Sequence, residues 1–225
     1  MIQVAENWFI RKPPVFRYLK QEYVTAFFDT GALRLSSFKA FSRHADEQRQ
    51  DHGEGKTLLI ATEKSGRGGT HISHMQSGLN AYVMSGSLRM GAELADAFGS
   101  NCGLRINDPT GFGREIAKHL PGRAIGMEGY CFYQDRRVSI RKVDRLDRSE
   151  YMVEGENPTV DVAKLTAMDV RILGPDAYFL KEVKYERQHE YRLIWQLEGV
   201  TEEYIDILAP NARQYCEPFK ILGEK

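Results

Sequence analysis

The segment RQHEYRLIWQ, residues 187–196, places a carboxylate at the start of an apolar alternation. The alternation from Tyr191 to Trp195 predicts a strand, because side chains on a strand alternate between two faces. A carboxylate on such a rigid element can stabilise the oxocarbenium-like transition state of glycoside cleavage. The alternative is a solvated strand entrance, in which Glu190 pairs with Arg192 as exposed glutamates commonly do.

An arginine and four serines lie in other predicted strands. Arg17 belongs to VFRYL, and a guanidinium binds phosphate groups through a bidentate fork that an ammonium cannot copy. Ser85 and Ser87 end the segment YVMSGS, while Ser36 and Ser37 end ALRLSS. A serine on the floor of a cleft can fix the rotamer of a carboxylate. The alternatives are an arginine lying along its own sheet and a strand running into a turn.

A polar segment between the second and third predicted strands is rich in possible metal ligands. Imidazole and carboxylate groups are the usual ligands of a catalytic metal. The spacing from His44 to His52 is eight residues, however, and not the four that place two ligands on one helix face. A metal-dependent nuclease or hydrolase therefore stays an alternative, based on His44, Asp46, Glu47, Asp51, His52 and Glu54, with His71 and His74 downstream.

Three of these pieces resemble the signatures of the ADP-ribosyltransferase toxins of the arginine–serine–glutamate class. VFRYL supplies Arg17, YVMSGSL supplies Ser85 and Ser87, and RQHEYRL supplies Gln188 and Glu190, in the family's order. The resemblance covers these residues and the strand–helix–strand opening. It implies a split, mostly antiparallel sheet around a cleft for NAD, which would serve as the substrate. The implied activity is mono-ADP-ribosyl transfer to a macromolecule, with no metal required.

The resemblance also implies a role for each residue. Glu190 would stabilise the oxocarbenium-like ribose and hold its 2′-hydroxyl, and Arg17 would hold a phosphate or the nicotinamide ribose. Ser85 would brace the cleft, and Gln188 would orient the acceptor. Gln188 and Glu190 would project from one strand face if the strand already runs at residue 188.

The sequence departs from the family pattern between the two serines, where Gly86 stands in place of threonine. Ser36 and Ser37 form a second serine element for the same cleft, and Phe38 could stack on nicotinamide. The segment GALRLSSFKAFS also resembles the second motif of the histidine–tyrosine–glutamate branch. That branch opens with histidine where this chain has Arg17, so we favour the arginine branch.

The acceptor is less constrained by the sequence. In the family, a glutamine at the position of Gln188 occurs in enzymes that modify protein side chains and in others that modify guanine bases. Residues 135–148 are rich in arginine and follow the aromatic residues of segment 130–133, so they could track a phosphate backbone and stack bases. A charge-laced exposed hairpin is the alternative. We favour a nucleic-acid acceptor.

The resemblance to small bacterial toxins implies a toxin or antiviral defence effector that is restrained by an antitoxin partner. A non-catalytic regulatory domain that keeps the nucleotide cleft is a further alternative. It predicts that Arg17 or Glu190 does not face a cleft.

The elements that must position these residues fit one α+β domain over residues 1–225. Residues 42–78, polar and glycine-rich, are predicted to form a mobile loop or lid, although TLLIATEK within them also has strand character. The other predicted strands are 15–20, 32–41, 79–88, 101–108, 124–133, 136–147, 177–185 and 189–199, and the helices are 21–31, 91–99, 108–122 and 159–168.

Composition excludes few function classes. The 31 basic and 31 acidic residues cancel, so net charge favours neither nucleic acid nor a membrane. Three separated cysteines predict reduced thiols in a cytoplasmic protein. The first residues lack the apolar segment of a signal peptide, and no apolar run has the roughly 20 residues of a membrane span.

Overall fold

The computed structural model describes residues 13–42, 53–66, 69–199 and 201–221, with side chains described at all of these except 41 and 42. Five α-helices lie in these ranges: α1 (Gln21–Thr30), α2 (Phe38–Ser42), α3 (Ala92–Ala97), α4 (Pro109–Ala117) and α5 (Val162–Leu173). Fifteen strands accompany them: β1 (Val15–Tyr18), β2 (Ala32–Ser37), β3 (Lys56–Glu63), β4 (Thr70–Gln76), β5 (Ala81–Ser87), β6 (Cys102–Ile106), β7 (Ile125–Tyr130), β8 (Phe132–Gln134), β9 (Val138–Val143), β10 (Met152–Val153), β11 (Thr159–Val160), β12 (Leu180–Glu182), β13 (Glu190–Gln196), β14 (Tyr204–Leu208) and β15 (Cys216–Lys220).

The described residues form an α+β fold whose largest sheet has eight strands. Six strands follow the order β14-β2-β5-β1-β6-β15, and β13 and β7 continue the sheet from β5. Every registered pair in this sheet is antiparallel. The prediction of an α+β chain with a mostly antiparallel sheet is therefore confirmed.

The sheet splits at β5. All seven residues of β5 pair with β13, so β13 takes one whole edge of the strand. On the other edge, β2 pairs with β5 at Tyr82 and Val83, and β1 pairs with it at Ser87. β1 and β2 therefore diverge on either side of residues 84–86, and a gap opens between them.

Local sequence signals set the helices that flank the main sheet. α1 ends at Gly31, which has φ 80° and donates its N–H to the Phe27 carbonyl at 2.7 Å. A left-handed residue at this position is the usual glycine stop. α4 begins after Asp108, whose carboxylate accepts from the Gly111 N–H at 3.0 Å, and Pro109 starts the helix.

The main core lies between the large sheet and helices α1 and α4. Phe27 and Phe112 from the helices are fully buried together with Leu104 and Trp195 from the strands. The Trp195 indole N–H donates to the Gly113 carbonyl at 2.8 Å, which satisfies its one polar group. β13 is a central strand of the sheet and is buried along almost its entire length.

A second sheet with the order β4-β3-β9 packs on α5. The strand predicted at 57–64 is confirmed as β3, but the loop predicted over the following residues is wrong. Residues 70–76 pair with β3 from Thr70↔Thr62 to Gln76↔Lys56 and bury Met75. The described part of the predicted lid is thus a hairpin, and residues 43–52 and 67–68 lie outside the described residues.

Two of the predicted strands, 136–147 and 177–185, do not pair with the strands next to them along the chain. β9 does not fold back on β7 or β8 but pairs in parallel with β3. β12 does not pair with β13; it pairs in parallel with β8, and a 3-10 helix at Val183–Gln188 leads on to β13. In both cases the strand was visible in the sequence, while its partner is distant along the chain.

Candidate functional site

A cavity of about 690 Å³ opens where β1 and β2 diverge, within the size range of small-molecule sites. Its walls come mainly from β1, β2, β5, β13 and β14, together with α1, β12 and the 3-10 helix before β13. The lining includes Arg17, Ser36, Ser85, Ser87, Gln188 and Glu190, which are the predicted site residues other than Ser37 and Phe38. The structure therefore brings together side chains from the beginning, middle and end of the chain.

Glu190 lies at the buried side of this cavity and is 5% exposed. Its Oε1 accepts from the Ser85 hydroxyl and from Arg192 Nε, both at 2.6 Å. Its Oε2 accepts from Lys181 Nζ at 2.5 Å. Ser85 and Arg192 are cross-strand neighbours in the β5–β13 register. Glu190 does pair with Arg192, as the structural interpretation expected, but the pair is buried rather than solvated.

A second carboxylate completes a buried charge cluster. Arg192, 2% exposed, donates to both oxygens of Glu54, at 2.7 and 3.0 Å. It also donates to the Tyr178 carbonyl at 2.5 Å. Two carboxylates, Glu54 and Glu190, thus face two cations, Arg192 and Lys181. Buried charges are tolerated when they are paired and hydrogen-bonded in this way.

The charge cluster controls the protonation of Glu190. Burial alone raises the pKa of a carboxyl group, but the charges of Arg192 and Lys181 and the donated hydrogen bonds outweigh it. The pKa of Glu190 is consequently held well below its usual range, so the side chain is a carboxylate at neutral pH. It is suited to stabilise positive charge and not to act as a general acid.

Glu190 keeps some capacity for a ligand. A carboxylate offers about four lone-pair positions. Within the described residues, Oε1 accepts two hydrogen bonds and Oε2 accepts one. Because Glu190 lines the cavity, the remaining position on Oε2 can accept a hydroxyl of a bound sugar.

Gln188 lines the cavity although it does not belong to strand β13. It belongs to the 3-10 helix before β13, so the argument from alternating strand faces does not apply to it. Among the non-glycine residues that the structure describes, only His189 has a positive φ, at 43°. This left-handed residue turns the chain sharply into β13. The Gln188 Oε1 then accepts from Lys181 Nζ at 3.1 Å, beside Glu190.

Arg17 crosses the gap in the sheet. Its Nη2 donates to the Arg34 carbonyl on β2 at 3.2 Å, and the side chain lines the cavity.

The close approach of β1 to β5 explains why residue 86 is a glycine. A Cβ added at Gly86 would lie 2.5 Å from Val15 Cγ1, so the threonine of the family pattern would not fit without a shift of β1.

The remaining predicted residues divide between the cavity and the interior. Ser36 lines the cavity, whereas Ser37 and Phe38 are buried and do not. Phe38 packs in a small core cluster, with the Arg192 guanidinium 5.7 Å from its ring centroid, so it supports the charge cluster. Ser87 lines the cavity, and its hydroxyl accepts from the Arg89 N–H at 3.0 Å.

Sequence reasoning missed three residues that surround Glu190. Lys181 was predicted only as part of the strand 177–185, Glu54 as part of a possible metal cluster, and Tyr133 as a base-stacking aromatic. The Tyr133 hydroxyl accepts from the Glu190 N–H at 2.8 Å, and burial raises the pKa of this phenol. Burial also raises the pKa of the nearby Cys131 thiol, which is therefore a poor nucleophile.

The predicted metal ligands do not assemble in the described residues. Positions 44–52 lie outside the described residues, Glu54 binds Arg192, and His71 pairs with Asp169 at 2.6 Å. Across the described ranges, no group of three or more His, Cys, Asp and Glu side chains is placed to hold a metal ion.

The basic stretch at 135–148 is partly neutralised by the protein itself. Arg137 Nε lies 3.7 Å from a carboxylate oxygen of Glu182, and Arg141 pairs with Asp176. Arg145 pairs with Asp147 at 2.8 Å. Arg136, Lys142 and Arg148 are exposed. The exposed basic surface is therefore smaller than the sequence suggested.

Comparison of the chain with protein-family models, curated proteins and solved structures finds no match. Among the residues described, none of the helices combines the length and the apolar character needed to cross a membrane.

Proposed function

We propose that this protein cleaves the nicotinamide–ribose bond of NAD and transfers ADP-ribose to a macromolecule. The observation that carries the proposal is the convergence of Arg17, Ser85, Gln188 and Glu190 on one cavity at the split of the sheet. These four residues carry the resemblance to the arginine–serine–glutamate class. An ADP-ribosyltransferase-like fold is part of the same proposal.

Glu190 provides the electrostatic part of the reaction. When the bond between ribose C1′ and the nicotinamide nitrogen breaks, the electron pair leaves with nicotinamide and positive charge develops on the ribose. An ionised carboxylate in a water-poor site stabilises that charge. Ser85 and Arg192 fix the rotamer of Glu190 through Oε1, and Oε2 can hold a ribose hydroxyl.

Arg17 and Gln188 would orient the two ends of the reaction. The Arg17 guanidinium, placed across the gap, suits the negatively charged pyrophosphate. Gln188, next to Glu190, would orient the acceptor group. That group forms a new bond to C1′ and releases its proton to solvent. We propose a nucleic-acid acceptor first, because the exposed basic residues of 135–148 can contact phosphates.

Release of nicotinamide from NAD tests the cleavage step without knowledge of the acceptor. We expect release by the native protein and a loss of about 100-fold or more in Glu190→Gln, as for removal of a transition-state electrostatic contact. The matched control is Glu217→Gln, which removes an exposed strand carboxylate paired with Arg105 outside the cavity.

Glu190→Gln leaves two buried cations short of a partner, so its folding needs a check by thermal unfolding. Arg17→Lys is a second variant, at a position outside the charge cluster. It keeps the positive charge and removes only the bidentate fork. Native-level release by a folded Glu190→Gln protein contradicts the proposal. So does an absence of release by the native protein with any acceptor mixture.

A second candidate is a regulatory domain that binds the nucleotide without cleaving it. Its expectation that Arg17 or Glu190 does not face a cleft is not met, since both line the cavity, but one observation still favours it. The charge of Glu190 is already balanced by Lys181 and Arg192, which lessens its effect on an incoming cation. This candidate predicts saturable NAD binding to the native protein, weakened in Arg17→Lys, together with no nicotinamide release.

A further inference from the structure

The cavity has an aromatic and charged rim on the side away from Glu190. Arg34 of β2 donates through Nε and Nη2 to both oxygens of Asp206 on β14, each at 2.7 Å. Its guanidinium lies 5.7 Å from the ring centroid of Tyr204. Tyr23 of α1 is a second tyrosine of the cavity lining. All four side chains line the cavity.

The rim is exposed and preorganised at the same time. Tyr23 is 56% and Tyr204 is 43% exposed, so a ligand in the cavity can reach both rings. An exposed ion pair such as Arg34–Asp206 adds little stability. It does hold the planar guanidinium in a fixed position beside the Tyr204 ring, and such planes stack on flat heteroaromatic groups.

The distance between the rim and Glu190 matches the length of a dinucleotide. β14 lies three strand positions from β13, in the order β13-β5-β2-β14, which is about 14 Å at ordinary strand spacing. Arg17 reaches from β1 to the backbone of β2, where it donates to the Arg34 carbonyl, and it also lines the cavity. A ligand whose ribose contacts Glu190 would pass its phosphates near Arg17 and bring its second base to the rim.

We propose that Tyr23, Arg34 and Tyr204 form a stacking subsite for the adenine base of a dinucleotide held in this cavity. The inference rests on the proposed function for the identity of the ligand. It goes beyond that function by assigning the adenosine end to side chains of β2, β14 and α1. Recognition by stacking tolerates different bases, so the subsite selects a flat purine rather than a particular hydrogen-bonding edge.

Calorimetric titration with AMP, ADP-ribose and nicotinamide mononucleotide tests the subsite. Tyr204→Ala is expected to weaken AMP and ADP-ribose binding about tenfold, as expected for the loss of one base–aromatic stack. Binding of nicotinamide mononucleotide, which has no adenine, is expected to stay unchanged. Tyr204→Phe keeps the ring and is expected to bind all three ligands as the native protein does.

The matched control is Tyr130→Ala, which removes an exposed tyrosine on β7 that does not line the cavity. Native ADP-ribose affinity in Tyr204→Ala overturns the subsite. The subsite is also overturned if Tyr204→Ala weakens the binding of nicotinamide mononucleotide to the same extent as that of ADP-ribose. It is likewise overturned if Tyr204→Ala weakens only the binding of a single-stranded oligonucleotide and leaves the binding of all three nucleotides unchanged. Nicotinamide release by the native protein is scored separately, so a failed subsite is distinguished from a failed function.

Discussion

Lys181 determines much of how Glu190 titrates. Its ammonium contacts Oε2 of Glu190 and the amide oxygen of Gln188, and it also lies 4.5 Å from the Tyr185 ring centroid. Lys181 is 6% exposed, so solvent screens these contacts weakly. It is the residue through which the charge of Glu190 can be adjusted without changing Glu190 itself.

Lys181→Met is predicted to raise the pKa of Glu190 towards its usual value. A carboxyl whose folded-state pKa is lowered stabilises the protein above its unfolded pKa, and that stability is lost as pH falls through the folded value. The native protein should therefore keep the contribution of Glu190 to lower pH than the variant does. Urea unfolding from pH 7 to pH 3 measures this difference.

The matched control is Lys184→Met, in which an exposed lysine paired with Glu182 is removed from the same region. Its acid-dependent loss of stability should follow that of the native protein. The same acid profile in Lys181→Met as in the native protein would show that Lys181 does not lower the pKa of Glu190.

Arg17, Ser85, Gln188 and Glu190 were selected by their resemblance to the signatures of the arginine–serine–glutamate class, and all four line one cavity. Their roles in binding and catalysis stay predictions. Lys181 and Glu54 could not be identified, because a charged side chain in a polar segment carries no sign that tertiary packing will bury it. Their partners lie at distant chain positions.

At the scale of elements, the Arg192–Glu54 pair joins the central strand β13 to the segment that enters β3. Glu54→Gln is predicted to lower the free energy of unfolding by about 3–5 kcal/mol, because it leaves a buried guanidinium without full compensation. Urea unfolding at pH 7 measures the change. The geometry of the pair, with donations at 2.7 and 3.0 Å, makes this contact bidentate.

Asp206→Asn is the matched control, since it breaks a bidentate pair with Arg34 that is exposed. We expect that change to cost less than about 1 kcal/mol. Equal losses in the two variants would contradict the view that the cluster around Glu190 is shielded from water.

Element existence was predictable to a greater extent than element pairing. Helix α1 was predicted up to Gly31, where the glycine stop is found. Strands β9 and β12 were also anticipated, but their parallel partners were not, because the partner of a strand is set by the packing of distant segments. The turn at His189 likewise has no local signal, although it places Gln188 beside Glu190.

At the scale of the whole molecule, the largest core of the described chain lies against the eight-stranded sheet, and one of its smaller cores lies between α5 and the sheet β4-β3-β9. Leu59, Met75, Leu173 and Ala177 form the small core. The two cores differ in size, so they should differ in the free energy needed to open them locally.

Leu173→Ala is predicted to increase hydrogen exchange in β3, β4 and α5 while amides of β5 and β13 keep their protection. A buried leucine truncation costs about 2–5 kcal/mol, which is enough to open the smaller unit first. Leu104→Ala, in the main core, is the control and should reduce the protection of the large sheet. A uniform loss of protection in Leu173→Ala would show that the chain opens as one unit.

The α+β class followed from alternating apolar segments and helical spacing, which are local properties. The second sheet and the course of the chain around the cavity did not follow, because both depend on contacts between distant segments. The segment 70–76 shows this clearly: its glycine-rich neighbourhood suggested a loop, yet its alternating side chains form β4.

The measurement that tests the central claim most directly is incubation of the protein with NAD radiolabelled in the adenylate portion, alone and with RNA, DNA or cell lysate. We predict label in one macromolecular fraction, absent with folded Glu190→Gln and present with Glu217→Gln. The distribution of label also identifies the acceptor class. Absence of label from every fraction, or equal labelling by Glu190→Gln, would contradict the proposed transferase activity.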